Sequence, residues 1–367
     1  WLRKADMTTV HARWVQAKLF LRDGKIEEGK ALITGLQSSH EEDDAVPQFA
    51  PEVWPVTEKY GERVLGDMGL LHLYNREYPE ALESFARSGF YFDDALYVAE
   101  CVMSIDELKA FIERHKNDAA FGEMSIFGYL GLRLTKLERL EQALASRLAV
   151  QGKWDDAIPF FPEGLKEDAK RMAELTRAST SSMVRERAES LVQMGKLLME
   201  KGRQLIHYGI YNFDYEGAFA NIRRLSSGTG LEGASEDEKV RVAKLLPKAN
   251  EHFNYRCRAA DLMWEAASLL PKNDLLAAEA LYCGGVFLKA KDPKAADKFY
   301  KALVRRNPNL EIAQQADKLR WFPARFSNKV LYKPLPFWSK RRLALASCGV
   351  VGCAVGAALA AAYIDRK

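Results

Sequence analysis

Between Leu343 and Ile364 the chain reads LALASCGVVGCAVGAALAAAYI, twenty-two residues without a charge. No other feature restricts the fold as severely. A run of this kind favours a helix, which satisfies its own backbone polar groups and extends about 33 Å at a rise of about 1.5 Å per residue. The hydrocarbon core of a bilayer is about 30 Å thick. Lys340, Arg341 and Arg342 stand before the run, and Asp365, Arg366 and Lys367 close it. Residues 343–364 are therefore expected to form one transmembrane helix with a short polar tail, 365–367. The alternative is a buried core helix, and the sharp charge boundaries count against it.

Small residues recur every fourth position inside the run: Cys348, Gly352, Gly356 and Ala360. In lipid, such a ridge lets helix backbones approach closely and gain dispersion contacts. The ridge is expected to pack against another membrane helix or a second copy of itself; a plain anchor of the same composition is the alternative. Orientation follows from charge. Lys329, Lys333, Lys340, Arg341 and Arg342 precede the span and only Arg366 and Lys367 follow it. The excess of positive charge places the large N-terminal body on the cytoplasmic side of a single-pass protein.

Residues 318–342 form a linker rich in aromatic and basic side chains. Trp321, Phe322, Phe337 and Trp338 alternate with Lys340, Arg341, Arg342 and further cations, while prolines at 323, 334 and 336 rule out a continuous helix. Aromatic and cationic groups together favour the headgroup layer. The expectation is an interfacial collar, with packing of the linker on the preceding body as the alternative. Ten of the 54 Lys/Arg and one of the 50 Asp/Glu fall in residues 318–367, which leaves the rest of the chain with a net charge of −5. A mildly acidic body with a basic end points to anionic lipid and away from nucleic acid.

The body, residues 1–317, carries a recurring pattern. A Gly or polar turn is followed five residues later by Ala or Gly and then by a bulky side chain. The instances are Gly24–Gly29 with Ile33, Arg76–Ala81 with Phe85, Gly152–Ala157 with Phe161, and Lys291–Ala296 with Tyr300. A small residue lies twelve places before each second position: Ala17, Gly69, Ala145 and Gly284. Stretches 95–115, 165–207 and 236–270 have helical composition without the full pattern. Segments 38–55 and 226–238 are acidic and rich in Pro or Gly/Ser, and are expected to be loops.

AEALYCGGVFLKAKDPKAADKFYKALVRRNP (278–308), QALASRLAVQGKWDDAIPFF (142–161) and LLHLYNREYPEALESFARSG resemble the tetratricopeptide repeat, a helix–turn–helix unit; the last unit is similar to repeats in uncharacterised bacterial proteins. The resemblance implies an all-α fold, an irregular α-solenoid in which stacked pairs bury what one pair cannot. A compact irregular bundle is the alternative. It also implies a partner groove lined by the first helix of each pair. Transferred to this chain, the groove positions are Lys18, Arg22, Arg63, Tyr74, Arg139, Gln142 and Lys289. Their partly basic character favours an acidic peptide or a C-terminal carboxylate.

Nothing in the sequence assigns catalysis. The histidines, at 11, 40, 72, 115, 207 and 252, stand apart from each other and from cysteines. Phosphate-loop, dinucleotide, nucleophile-elbow and zinc signatures are missing, and no cofactor is expected. Cys101, Cys257 and Cys283 of the body read as buried thiols. The expected function is that of a non-enzymatic, membrane-tethered adaptor or scaffold for protein partners. The alternative is a structural or assembly subunit of a larger membrane complex.

Overall fold

The computed structural model describes residues 5–37, 60–88, 91–122, 134–206, 231, 234–245, 254–290 and 292–326. Three of the turns predicted from the sequence close in one way. Gly24, Arg76 and Gly152 have φ of 76°, 65° and 78°. Each donates its N–H to the carbonyl three residues back: Leu21, Leu73 and Ala149 respectively. The following residue donates five back: Lys25 to Phe20, Glu77 to His72 and Lys153 to Leu148. This closure satisfies the last carbonyls of one helix and lets the next begin at once. Glycine takes a positive φ without steric cost; Arg76 does so at a cost of about 1 kcal/mol. The fourth turn is built differently, with Asp292 accepting from the Ala295 N–H at 2.9 Å and Pro293 opening the helix.

These turns organise sixteen α-helices, with no β-strand, among the described residues. They are α1 (Val10–Arg22), α2 (Ile26–Gln37), α3 (Tyr60–Tyr74), α4 (Tyr78–Ser88), α5 (Phe92–Tyr97), which runs into a π turn (Val98–Val102), α6 (Ile105–His115) and α7 (Ala119–Gly122). Then follow α8 (Lys136–Val150), α9 (Trp154–Ala157), extended by a 3-10 turn (Ile158–Phe160), α10 (Glu163–Ala178) and α11 (Val184–Leu205). The last are α12 (Glu236–Leu245), α13 (Asn254–Leu269), α14 (Leu275–Leu288), α15 (Pro293–Arg306) and α16 (Glu311–Leu319). The described residues are thus all-α, in keeping with a composition dominated by helix-forming residues. Within stretch 236–270 the described residues form α12 and α13, and the predicted loop 226–238 overlaps the start of α12.

Packing runs from neighbour to neighbour: α1 to α2, α3, α4 and α5 in turn, α8 to α9, α10 and α11, and α13 to α14, α15 and α16. Between the last two series α11 packs directly on α13, passing over α12. Ala17, Ile33, Leu36, Val64, Met68 and Leu71 form a first apolar core. A second begins at Leu73 and continues to Phe326. Leu71 and Leu73 thus place opposite sides of α3 in different cores, which joins them.

Two of the predicted small residues, Gly69 and Gly284, lie directly against a facing aromatic ring. A Cβ on Gly69 would sit 2.4 Å from Phe85 Cε1, and one on Gly284 would sit 2.4 Å from Phe299 Cε1. The bulky partner in the last unit is therefore Phe299, one residue before the expected Tyr300. Tyr300 turns instead toward Trp321 and Phe322, with ring centroids 5.7 and 6.1 Å away. Gly195 and Gly202 of α11 meet Met263 and Tyr255 of α13; an added Cβ would lie 2.8 Å from Met263 Cε and 2.7 Å from Tyr255 Cβ respectively.

Candidate interaction surfaces

The predicted groove residues fall into four groups. Lys18 and Arg22 lie one turn apart on α1. Lys18 is bound to Asp67 on α3, whose other carboxylate oxygen accepts from Trp14 Nε1 at 2.7 Å. Arg22 pairs with adjacent Asp23 at 2.9 Å. Arg63 is half-buried on α3, and Lys289 is half-buried at the C-cap of α14. Tyr74, at the end of α3, is 57% exposed, and Leu70, one turn earlier, is 58% exposed.

Arg139 and Gln142 correct the sequence reading. Both are buried in α8, so neither side chain lies open to a ligand. Arg139 spreads over the Phe92 ring at 4.5 Å, a cation–π contact to α5. Gln142 donates through Nε2 to the Gln204 carbonyl of α11 at 3.3 Å. Both serve packing between helices.

The linker reading is corrected in part. Phe322 is buried over Gly285, where an added Cβ would lie 2.0 Å from the ring's Cζ. Trp321 packs at a ring-centroid distance of 5.2 Å from Phe322. Tyr282 donates to the Pro323 carbonyl at 2.8 Å, and its ring packs on Phe326. Residues 321–326 form a strap across α14 and α15, so Trp321 and Phe322 belong to the body and not to a collar. Phe337, Trp338, Lys340, Arg341 and Arg342 lie outside the described residues. So do loop 38–55, the span 343–364 and its ridge of Cys348, Gly352, Gly356 and Ala360. Among the described residues no helix is long and apolar enough to cross a membrane.

A surface that the sequence did not suggest lies where α12 returns to α4–α6. Tyr78 Oη donates to Asp237 at 2.7 Å and Tyr97 Oη donates to Glu238 at 2.8 Å. Arg241 donates to Asp237 at 2.9 Å and to Glu107 at 2.8 Å, and its guanidinium lies 4.6 Å over the Tyr78 ring. The links from α12 to Tyr78, Tyr97 and Glu107 join residues 134 to 159 positions apart. Burial, then the Asp237 bond, push the Tyr78 hydroxyl up to about 12. Burial and the Glu238 carboxylate raise Tyr97 further. The Tyr78 hydroxyl holds Asp237 below the usual carboxylate range, and burial raises Glu238. Burial works to raise Glu107 as well, but the Ser104 N–H and Arg241 overcome it and keep that carboxyl low. The spacing of Asp237 and Arg241 marks an intrahelical pair in the sequence. Nothing local identifies the two distant tyrosines.

Other polar groups are structural. His115 is buried, with Nδ1 2.9 Å from the Phe111 carbonyl and its ring stacked on Phe111 at 4.2 Å. His72 Nδ1 lies 2.6 Å from Glu77 Oε2. Cys101 and Cys283 are buried and Cys257 is half-buried; burial pushes the Cys283 thiol up to about 12, far from a reactive thiolate. On α5, burial and the neighbouring Asp93 carboxylate push Asp94 up to about 6, and burial raises Asp93 too. Both side chains are nonetheless exposed at the surface, so solvent screens this effect. Among the described residues no group of three or more His, Cys, Asp or Glu could hold a metal ion.

No protein-family model matches this chain, and no curated protein or solved structure matches it.

Proposed function

We propose that this chain is an adaptor for protein partners, a tetratricopeptide-like stack of helical hairpins tethered to a membrane through residues 343–364, with its body on the cytoplasmic side. The observation that carries the reading is the open pair Leu70 and Tyr74 on α3, the first helix of the second hairpin. An exposed aliphatic and an exposed aromatic one turn apart supply low-entropy contact area for a peptide. Three turns with one hydrogen-bond pattern, and glycines set under Phe85 and Phe299, support the repeat assignment. Tethering raises the effective concentration of a captured partner near the bilayer.

Crosslinking of the full chain in its native membrane, with and without Leu70→Ala/Tyr74→Ala, tests this. Capture is expected to fall at least tenfold while circular dichroism stays unchanged. Undiminished capture by the double variant removes the groove reading. A second reading, a permanent subunit of a membrane assembly, draws on one patch. Met183, Val184 and Leu275 are 57%, 48% and 59% exposed around the Arg185–Asp274 ion pair. A single product at unit stoichiometry, insensitive to the α3 variant, favours it.

A further inference from the structure

Helix α12 is not needed to continue the stack. Its neighbours in sequence, α11 and α13, pack directly on each other, with Gly195 against Met263 and Gly202 against Tyr255. The segment between them sends α12 back to a face completed more than a hundred residues earlier. That face is ready-made: Tyr78 on α4, Tyr97 on α5, the Val102 carbonyl and Glu107 on α6.

The way α12 is held differs from the rest of the body. Val242 is fully buried and Leu231 nearly so, but Val240 is 65% exposed. The other attachments are hydrogen bonds and ion pairs through Asp237, Glu238 and Arg241. Asp237 and Arg241 are four residues apart, as are Glu238 and Val242, so one stripe of a helix presents all four. The helix also supplies its own start, with Ser235 Oγ accepting from the Glu238 N–H at 3.1 Å. A self-capped helix docked through one stripe is how a separate helical ligand binds a protein face.

We propose that the face formed by Tyr78, Tyr97, Val102 and Glu107 is a docking site for an acidic amphipathic helix of a partner protein, and that α12 is a competitor built into the chain. The partner helix carries two adjacent carboxylates, an arginine four residues after the first and an aliphatic residue four after the second. This rests on the adaptor reading and adds to it a site distinct from α3, together with its control: binding requires α12 to leave. Tyr78 and Tyr97 choose carboxylates because each presents a hydroxyl that donates to one, as they do to Asp237 and Glu238. Glu107 selects the arginine.

Two measurements on the full chain test the proposal. Hydrogen exchange of the unmodified protein is expected to show the α12 amides opening at least 100-fold more often than those of α11 and α13; equal protection overturns it. The second uses a fluorescent synthetic peptide of residues 231–245. It is expected to bind at least tenfold more tightly to a chain released by Arg241→Glu, or by Glu238→Lys/Val242→Asp, than to the unmodified chain. Adding Tyr78→Phe/Tyr97→Phe should abolish that gain, and a peptide with Lys at 237 and 238 should not bind. Equal binding to released and unmodified chains overturns the proposal. Because Leu70 and Tyr74 are intact in all of these variants, capture through α3 reports separately on the adaptor reading.

Discussion

Helices α12 and α13 follow one another in the sequence, yet they are attached by opposite means. Helix α13 meets α11 through a close-packed seam in which glycines receive Met263 and Tyr255. Helix α12 meets α4–α6 through hydroxyls, carboxylates and a guanidinium, with few buried aliphatic side chains. A seam of shape tolerates no added atom and is indifferent to salt. A polar clasp tolerates small changes of shape and responds to charge and ionic strength. The contrast separates what builds the body from what can open without dismantling it.

The largest effect is expected in the continuation of the seam. Gly284→Val places a branched side chain where even a Cβ would lie 2.4 Å from Phe299 and 3.1 Å from Met263 Cβ. A loss of about 3 kcal/mol in urea unfolding is expected, at the upper end for overpacking. A loss below about 1 kcal/mol would mean that α14 slides and that the seam is no rigid reference. Next is Tyr97→Phe, which leaves the buried Glu238 carboxylate without its hydroxyl donor. It should cost about 2 kcal/mol of α12 docking, read by hydrogen exchange, with α11 and α13 unaffected.

Arg241→Ala should cost about 1 kcal/mol, since Arg241 and Glu107 are each about a third exposed. Raising salt from about 0.1 M to about 1 M, which shortens the screening length from about 10 Å to about 3 Å, should open α12 in the unmodified chain and change this variant less. A salt response equal in both removes the charge argument.

The smallest effect concerns the adjacent carboxylates at the start of α5, just before the π turn on which α12 rests. Asp94 is pushed from 3.8 to about 6, so the folded state disfavours its charge. A raised carboxyl contributes stability that is complete below its unfolded value and lost as pH rises through its folded one. Asp94→Asn should therefore raise the Tm slightly at pH 7, the gain vanishing toward pH 4. A gain that persists at pH 4 would show that charge is not its cause.

Much of the body was legible in the sequence because the turns are local. Gly24 and Gly152 announce a left-handed residue, and the small partners Ala17, Ala145, Gly69 and Gly284 sit twelve positions before the next small residue. The register of the last pair was off by one, choosing Tyr300 over Phe299. One residue turns a helix by about 100°, and two adjacent aromatics give the pattern no means of choosing. Arg139 and Gln142 were misplaced because a polar side chain covered by Phe92 or α11 looks, in sequence, like one facing water. Trp321 and Phe322 were misread for a related reason: an aromatic beside a cation suits a headgroup layer and the cap of an apolar core equally well. The clasp was invisible because its two halves are far apart in the chain.

The strap at the end of the body also fixes a distance. Phe322 is locked over Gly285 and Phe326 against Tyr282, so the described fold ends at a definite point on α14. Sixteen residues, 327–342, separate that point from Leu343. However they are arranged, a chain covers no more than about 3.4 Å per step, so the apolar run begins within about 58 Å of Phe326. On the tethered reading, that length is the radius of the leash: it sets how far from the bilayer the α14 end of the stack can wander while it searches for a partner.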